Sequence, residues 1–148
     1  MLTSVIKSKF DLPLTDRIYW KNNSLYKKFT FIDKYPITII QAPLGYGKTK
    51  NLTLFLKNKF PSDSLYWYSL YKRDNSKIDF WHNLVYLFYN EKGKGDILFY
   101  DQDKNELDLY EIVHSLLNFL EDMLVDETIL VLDNYHLVNS QEIISSLA

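Results

Sequence analysis

The chain contains no cysteine, which removes disulfides, thiolate metal sites and cysteine nucleophiles together. A reducing cytoplasm is the compartment this composition suits. Arginine is nearly as scarce, with only Arg17 and Arg73. Bidentate phosphate and base-edge contacts draw on arginine, so this segment is poorly supplied for reading DNA itself. No apolar run approaches the ~18–20 residues needed to span a bilayer, and the first ten residues lack the continuous apolar stretch of a secretion signal. A soluble chain with no membrane partner is expected. An excess of one charge is also missing: 17 Lys plus Arg face 19 Asp plus Glu, so no net field recruits nucleic acid or anionic lipid.

Aromatic residues, by contrast, make up 16% of the chain, with 12 Tyr and 9 Phe. Clusters such as Leu65-Tyr66-Trp67-Tyr68 and Phe80-Trp81 are of the type that stacks single-stranded nucleic acid above a basic groove. Nothing basic is interleaved with them, and they fall inside segments that read as strand and helix, so core packing is the better reading. A length of 148 residues suffices for one domain with a real core.

The chemistry concentrates between Tyr35 and Phe60. Ile37, Ile39 and Ile40 predict a strand over Tyr35–Gln41. Ala42-Pro43-Leu44-Gly45-Tyr46-Gly47-Lys48-Thr49 follows, and then an amphipathic helix from about Lys48 to Lys59 that ends before Pro61. A triphosphate needs several backbone N–H donors converging from a tight loop, and Gly45 and Gly47 permit the positive φ angles of such a nest, with Tyr46 between them. Lys48 is placed for the β/γ-phosphates, Thr49 for Mg²⁺, and the helix start adds its positive dipole. Ala42 stands where the usual pattern has glycine.

Elsewhere the reading is coarser. Residues 1–34 form a lead-in segment with a short helix over Ser24–Phe31, and 35–148 form the nucleotide-binding domain. A second strand is expected over Ser64–Leu70, and a polar turn at Tyr71–Asn75. Next comes a helix opened by Ser76 and Asp79 that carries Ile78, Trp81, Leu84, Val85 and Phe88. A polar surface loop covers Asn90–Glu106. From Asp108 a helix presents Leu109, Ile112, Val113, Leu116, Leu117, Leu120 and Leu124 as a core stripe. The apolar run Thr128–Leu132 suits a strand buried on both faces, with Asp133 at its carboxyl end placed for Mg²⁺ or its water shell. A final helix is expected over Gln141–Ala148. His82, His114 and His136 have no ligand partner at helical spacing, so no metal triad or Ser-His-Asp arrangement is visible.

Three stretches in this order, Ala42–Thr49, Trp67–Asn75 leading to Phe80-Trp81, and Leu130–Leu137, resemble the N-terminal ATP-binding region of the large LuxR-type, maltose-activator-like regulators, which belong to the STAND class of signalling ATPases. Lys9-Phe-Asp-Leu-Pro13 is similar to the segment that precedes that domain. The resemblance covers essentially the whole chain. It implies an α/β, three-layer P-loop NTPase fold with a mainly parallel sheet, here an incomplete version belonging to a longer protein. It implies ATP and Mg²⁺ as cofactors, self-association, and contact with DNA only through a distant C-terminal domain. It also implies a further strand between the two that carry the Lys48 loop and Asp133, whose absence would leave strand edges open. The family carries a second acid after the Walker B aspartate, where this chain has Asn134. An amide cannot take a proton from attacking water, so binding with slow hydrolysis is expected, with Asp133 as the catalytic-site acid. Two readings stay open for Arg73, approach to the nucleotide and, as the blander and preferred one, a surface ion pair with Asp74 or Asp79. Two rival readings stay open: an interaction module whose nucleotide site is vestigial, and a small P-loop phosphotransferase, which the arginine shortage disfavours.

Overall fold

The computed structural model describes residues 6–13, 22–91, 109–123 and 128–146. They form a mixed α/β structure whose strands, β1 (Leu65–Ser69) and β2 (Ile129–Asp133), pair in a two-stranded parallel sheet. Five helices accompany them among the described residues: α1 (Asn23–Phe29), α2 (Lys48–Lys59), α3 (Lys77–Glu91), α4 (Leu109–Met123) and α5 (Gln141–Ser146). No described helix is long and apolar enough to cross a membrane. The chain divides into two compact units, one made of Met1–Asp11 with Tyr66–Ala148 and the other of Leu12–Leu65.

The unit Leu12–Leu65 is built on α1 and α2. Asn22 starts α1 by accepting the backbone N–H groups of Ser24 and Leu25 at 3.1 and 3.2 Å, two of the donors that a helix start leaves without carbonyl partners. Tyr26 and Phe29 then meet Phe55 of α2 with ring centroids 5.0 and 5.7 Å apart. Leu52, Phe55 and Leu56 form the buried face of α2, the spacing the sequence predicts. Asp33 and Lys59 add an ion pair near the surface, and the Lys59 hydrogen bond holds the Asp33 carboxyl below its ordinary pKa.

The strand expected over Tyr35–Gln41 is absent: this stretch has no regular secondary structure, and Tyr35, Ile37 and Ile39 are 62%, 78% and 87% exposed. A strand exists through its ladder, and no other described strand pairs with these residues. Their alternating apolar side chains mark a face without supplying the partner that would cover it.

In the other unit, β1 is buried on both faces, and Tyr66 and Tyr68 project into an aromatic core with Phe80, Trp81 and Phe88 of α3. Tyr66 and Phe88 approach to 4.5 Å between centroids, and Phe80 meets Trp81 edge to face. Ile78, expected on the buried stripe of α3, is 66% exposed at the start of the helix. On α4, Leu116 is buried while Val113 and Leu120 pack at the margin of the core. Leu117, expected in the same stripe, is 55% exposed. The stripe is therefore narrower than the apolar pattern.

β2 also departs from expectation. None of its residues is fully buried, and Leu130 is 37% exposed, so it is not a strand covered on both faces. It pairs only with β1 among the described strands. Most of the expected loop Asn90–Glu106, along with Asp108, Leu124 and Arg17, lies outside the described residues.

Candidate functional site

The loop Ala42–Gly47 closes around its own lysine. Gly45 and Gly47 have φ of 84° and 69°, both in the left-handed region where a side chain is strained. A Cβ at Gly45 would meet nothing within 4 Å, so the requirement there is conformational and not one of space. Gly47 is the N-cap of α2 and offers no side chain to cap it. Lys48, the first helical residue, turns back: its Nζ donates to the carbonyl oxygens of Ala42 at 2.5 Å and Pro43 at 3.0 Å. The ammonium thus lies against the mouth of the loop. Lys48 and Thr49 are half-buried, while Gly45 and Tyr46 are exposed, Tyr46 by 63%.

Beneath the loop lies a residue that the motif does not name. Asn51 is 1% exposed, and its Nδ2 donates to the Gly47 carbonyl at 2.9 Å while its Oδ1 accepts the Asn22 N–H at 3.0 Å. One side chain therefore fixes the peptide leaving the left-handed glycine and ties it to the start of α1. Thr53, fully buried, donates from Oγ1 to the Thr49 carbonyl at 2.8 Å. A polar residue four positions after Gly47, on the buried face of α2, is the sequence signal that would have found Asn51.

Asp133 belongs to the other unit. It ends β2, accepts the Leu70 N–H through its carbonyl at 3.0 Å, and accepts the Asn134 N–H at Oδ1, also at 3.0 Å. Asn134 has φ 59°, the only positive φ at a non-glycine position among the described residues. Asparagine is among the few residue types that enter this region readily, so the position has a conformational reason for its amide. Arg73 lies exposed in the short turn Lys72–Asn75 that follows β1, and among the described residues it shows no ion pair with Asp74 or Asp79.

Chemically, the loop offers positive-φ glycines, an ammonium and an uncapped helix start, a set that fits a phosphate chain. Among the described residues, no group of three His, Asp or Glu is arranged to hold a metal ion. Mg²⁺ carried by nucleotide phosphates needs no such cage, since one or two side-chain oxygens and water complete its shell. His82 is half-buried, and burial lowers its pKa against the opposing charge of Asp79. No family model matches this chain, and neither the curated proteins nor the solved structures contain a match.

Proposed function

We propose that the Ala42–Thr49 loop binds the phosphates of ATP with Mg²⁺, and that the chain is the nucleotide-dependent switch portion of a LuxR-type (STAND) regulator with a P-loop NTPase fold. The observation that carries this reading is the Lys48 ammonium drawn over a loop whose two glycines have positive φ. Carbonyl oxygens are weak partners for an ammonium compared with phosphate oxygens, so an incoming triphosphate takes over a charge already aimed at its place. Thr49 supplies a hydroxyl for the metal. Asp133 is proposed for the metal's water shell, and Asn134 in place of a carboxylate makes hydrolysis slow. DNA contact and self-association belong to the same proposal and have no residue of this segment assigned to them.

Calorimetric titration with a non-hydrolysable ATP analogue and Mg²⁺ tests the loop. Saturable binding is expected, weakened about 10- to 100-fold by Lys48→Ala, the equivalent of one lost charge-assisted hydrogen bond. Equal affinity in both proteins, or none in either, would sink the proposal. Asp133→Asn tests the acid separately, through the Mg²⁺ dependence of binding.

A second reading, an interaction module with a vestigial site, is favoured by one observation: Tyr35, Ile37, Ile39 and Leu44 are all more than half exposed beside the loop. The same titration separates the two readings.

A further inference from the structure

Away from the loop, Lys9 and Asp74 form an ion pair in which both side chains are 0% exposed. Charges are rarely buried so completely, and the surroundings explain how this pair is tolerated. Asp74 also accepts the Tyr71 N–H at 2.6 Å and the Asn83 amide at 3.1 Å, so the carboxylate is held in place by groups other than Lys9. The Lys9 ammonium lies 5.1 Å from the ring centre of Tyr71 and 5.9 Å from that of Tyr68. The next residue, Phe10, sets its ring 5.5 Å from Tyr68 and 5.4 Å from Tyr86. The Tyr68 hydroxyl, buried beside this group, has no hydrogen-bond partner, although Asp74 and Asn83 are its near neighbours.

Among the described residues, little else holds the segment that brings Lys9 and Phe10 here. Ile6, Lys7, Ser8 and Asp11 are exposed. The segment's backbone bonds are internal, Lys9 N–H to the Ile6 carbonyl at 3.1 Å and Phe10 N–H to the Lys7 carbonyl at 3.0 Å. Among the described residues it makes no backbone bond to the rest of its unit. Two adjacent buried anchors, with solvated flanks and a self-contained backbone turn, are the anatomy of a bound linear motif and not of an integral strand or helix. Withdrawal would take the ammonium back to water and leave the Asp74 carboxylate with the bonds it accepts from the Tyr71 N–H and the Asn83 amide.

We propose that Ile6–Asp11 is a detachable docking motif, and that Tyr68, Tyr71, Asp74, Asn83 and Tyr86 form its receptor, a site for a lysine followed by an aromatic residue. In the folded chain the occupant is the chain's own Lys9-Phe10, favoured by the effective concentration of a tethered ligand. Because the receptor includes the turn directly after β1, docking also fixes that turn. Asn75 in the same turn accepts the N–H groups of Asn139 and Ser140 at 2.8 and 2.9 Å, so the state of the motif reaches the segment that leads into α5. This inference does not depend on the nucleotide reading.

The test uses the full chain with Lys9→Ala and Phe10→Ala combined, and a synthetic peptide of residues 6–11. The peptide should raise the melting midpoint of the variant saturably, and the same peptide with alanine for Lys9 should not. No effect of either peptide, or an equal effect of both, overturns the proposal. If the variant does not fold, amide exchange of the unaltered chain decides. The Lys9 and Phe10 amides should exchange at least ~10-fold faster than those of β1, and Asp74→Asn should widen that gap. Exchange of Lys9 and Phe10 in step with β1 would make the segment integral and the proposal wrong.

Discussion

The two units solve different problems with polar groups. In Leu12–Leu65 the polar atoms at the loop are paired with backbone: Lys48 with two carbonyls, Asn51 with the Gly47 carbonyl and the Asn22 N–H, Thr53 with the Thr49 carbonyl. In the unit containing β1 and β2 the buried polar group is an ion pair between side chains 65 positions apart, set among tyrosines. The first arrangement shapes a loop and leaves apolar side chains in water beside it. The second serves the interior. Side chains bonded to backbone thus lie beside apolar groups left in water, and side chains bonded to each other lie among buried aromatic rings.

The largest effect should come from the packed side. Phe80→Ala removes a ring with 0% exposure from contact with Tyr68 and Trp81 and should cost about 3–5 kcal/mol in chemical denaturation. A loss below ~1 kcal/mol would mean that this core is looser than its geometry. Asn51→Ala comes next, at about 1–3 kcal/mol, since the Asn22 N–H loses its acceptor and the Gly47 carbonyl keeps only the Asn51 backbone N–H. It should also weaken analogue binding, whereas Phe80→Ala should not do so in protein that remains folded. An unchanged affinity would detach Asn51 from the loop's function.

Tyr68→Phe sharpens the comparison from the other direction. Its hydroxyl is buried without a partner, so its removal should leave stability at neutral pH unchanged or raise it by about 1 kcal/mol. The alkaline limb is where the two proteins should part. Burial, followed by the Asp74 charge, raises the Tyr68 pKa above its ordinary value of 10.0. Above about pH 10 the unfolded chain ionises this tyrosine while the folded chain keeps it protonated. The folded state then binds more protons, and stability falls as pH rises. Tyr68→Phe should lessen that fall; superimposable pH profiles would refute the assignment. Smallest of all, Ile39→Ser should alter the melting midpoint by no more than ~0.5 kcal/mol allows, because the side chain is 87% exposed. A marked loss would reveal a cover for that face in solution.

The parts that sequence shows well are those governed by local rules. The helix after Lys48, the aromatic strand after Pro61 and the strand ending at Asp133 fall within a residue or two of their expected places, because caps, proline and apolar periodicity act over a few positions. The glycines at 45 and 47 adopt the positive φ that their loop requires. The missing strand at Tyr35–Gln41 and the half-covered β2 show the limit. An apolar alternation reports a side chain's preference, while burial depends on whether another element arrives. Asn51 was hidden for the opposite reason, since a polar residue on an apolar helix face resembles noise until its two partners are located. The Lys9–Asp74 pair was illegible as well: no periodicity links a lysine before Pro13 to an aspartate in a turn beyond β1.

The docking of Lys9 and Phe10 has a consequence in time. These residues leave the ribosome before any of the side chains that receive them has been made. At roughly 5–20 residues per second, the 65 positions that separate Lys9 from Asp74 correspond to about 3–13 seconds of synthesis during which the first anchors have no receptor. Closing so long a loop costs only slightly more than closing a short one, because the entropy grows with the logarithm of length. The earliest-made contact residues of the chain are therefore among the last to find their place, and a nascent chain stalled before Asp74 would display Lys9 and Phe10 to any factor waiting at the exit.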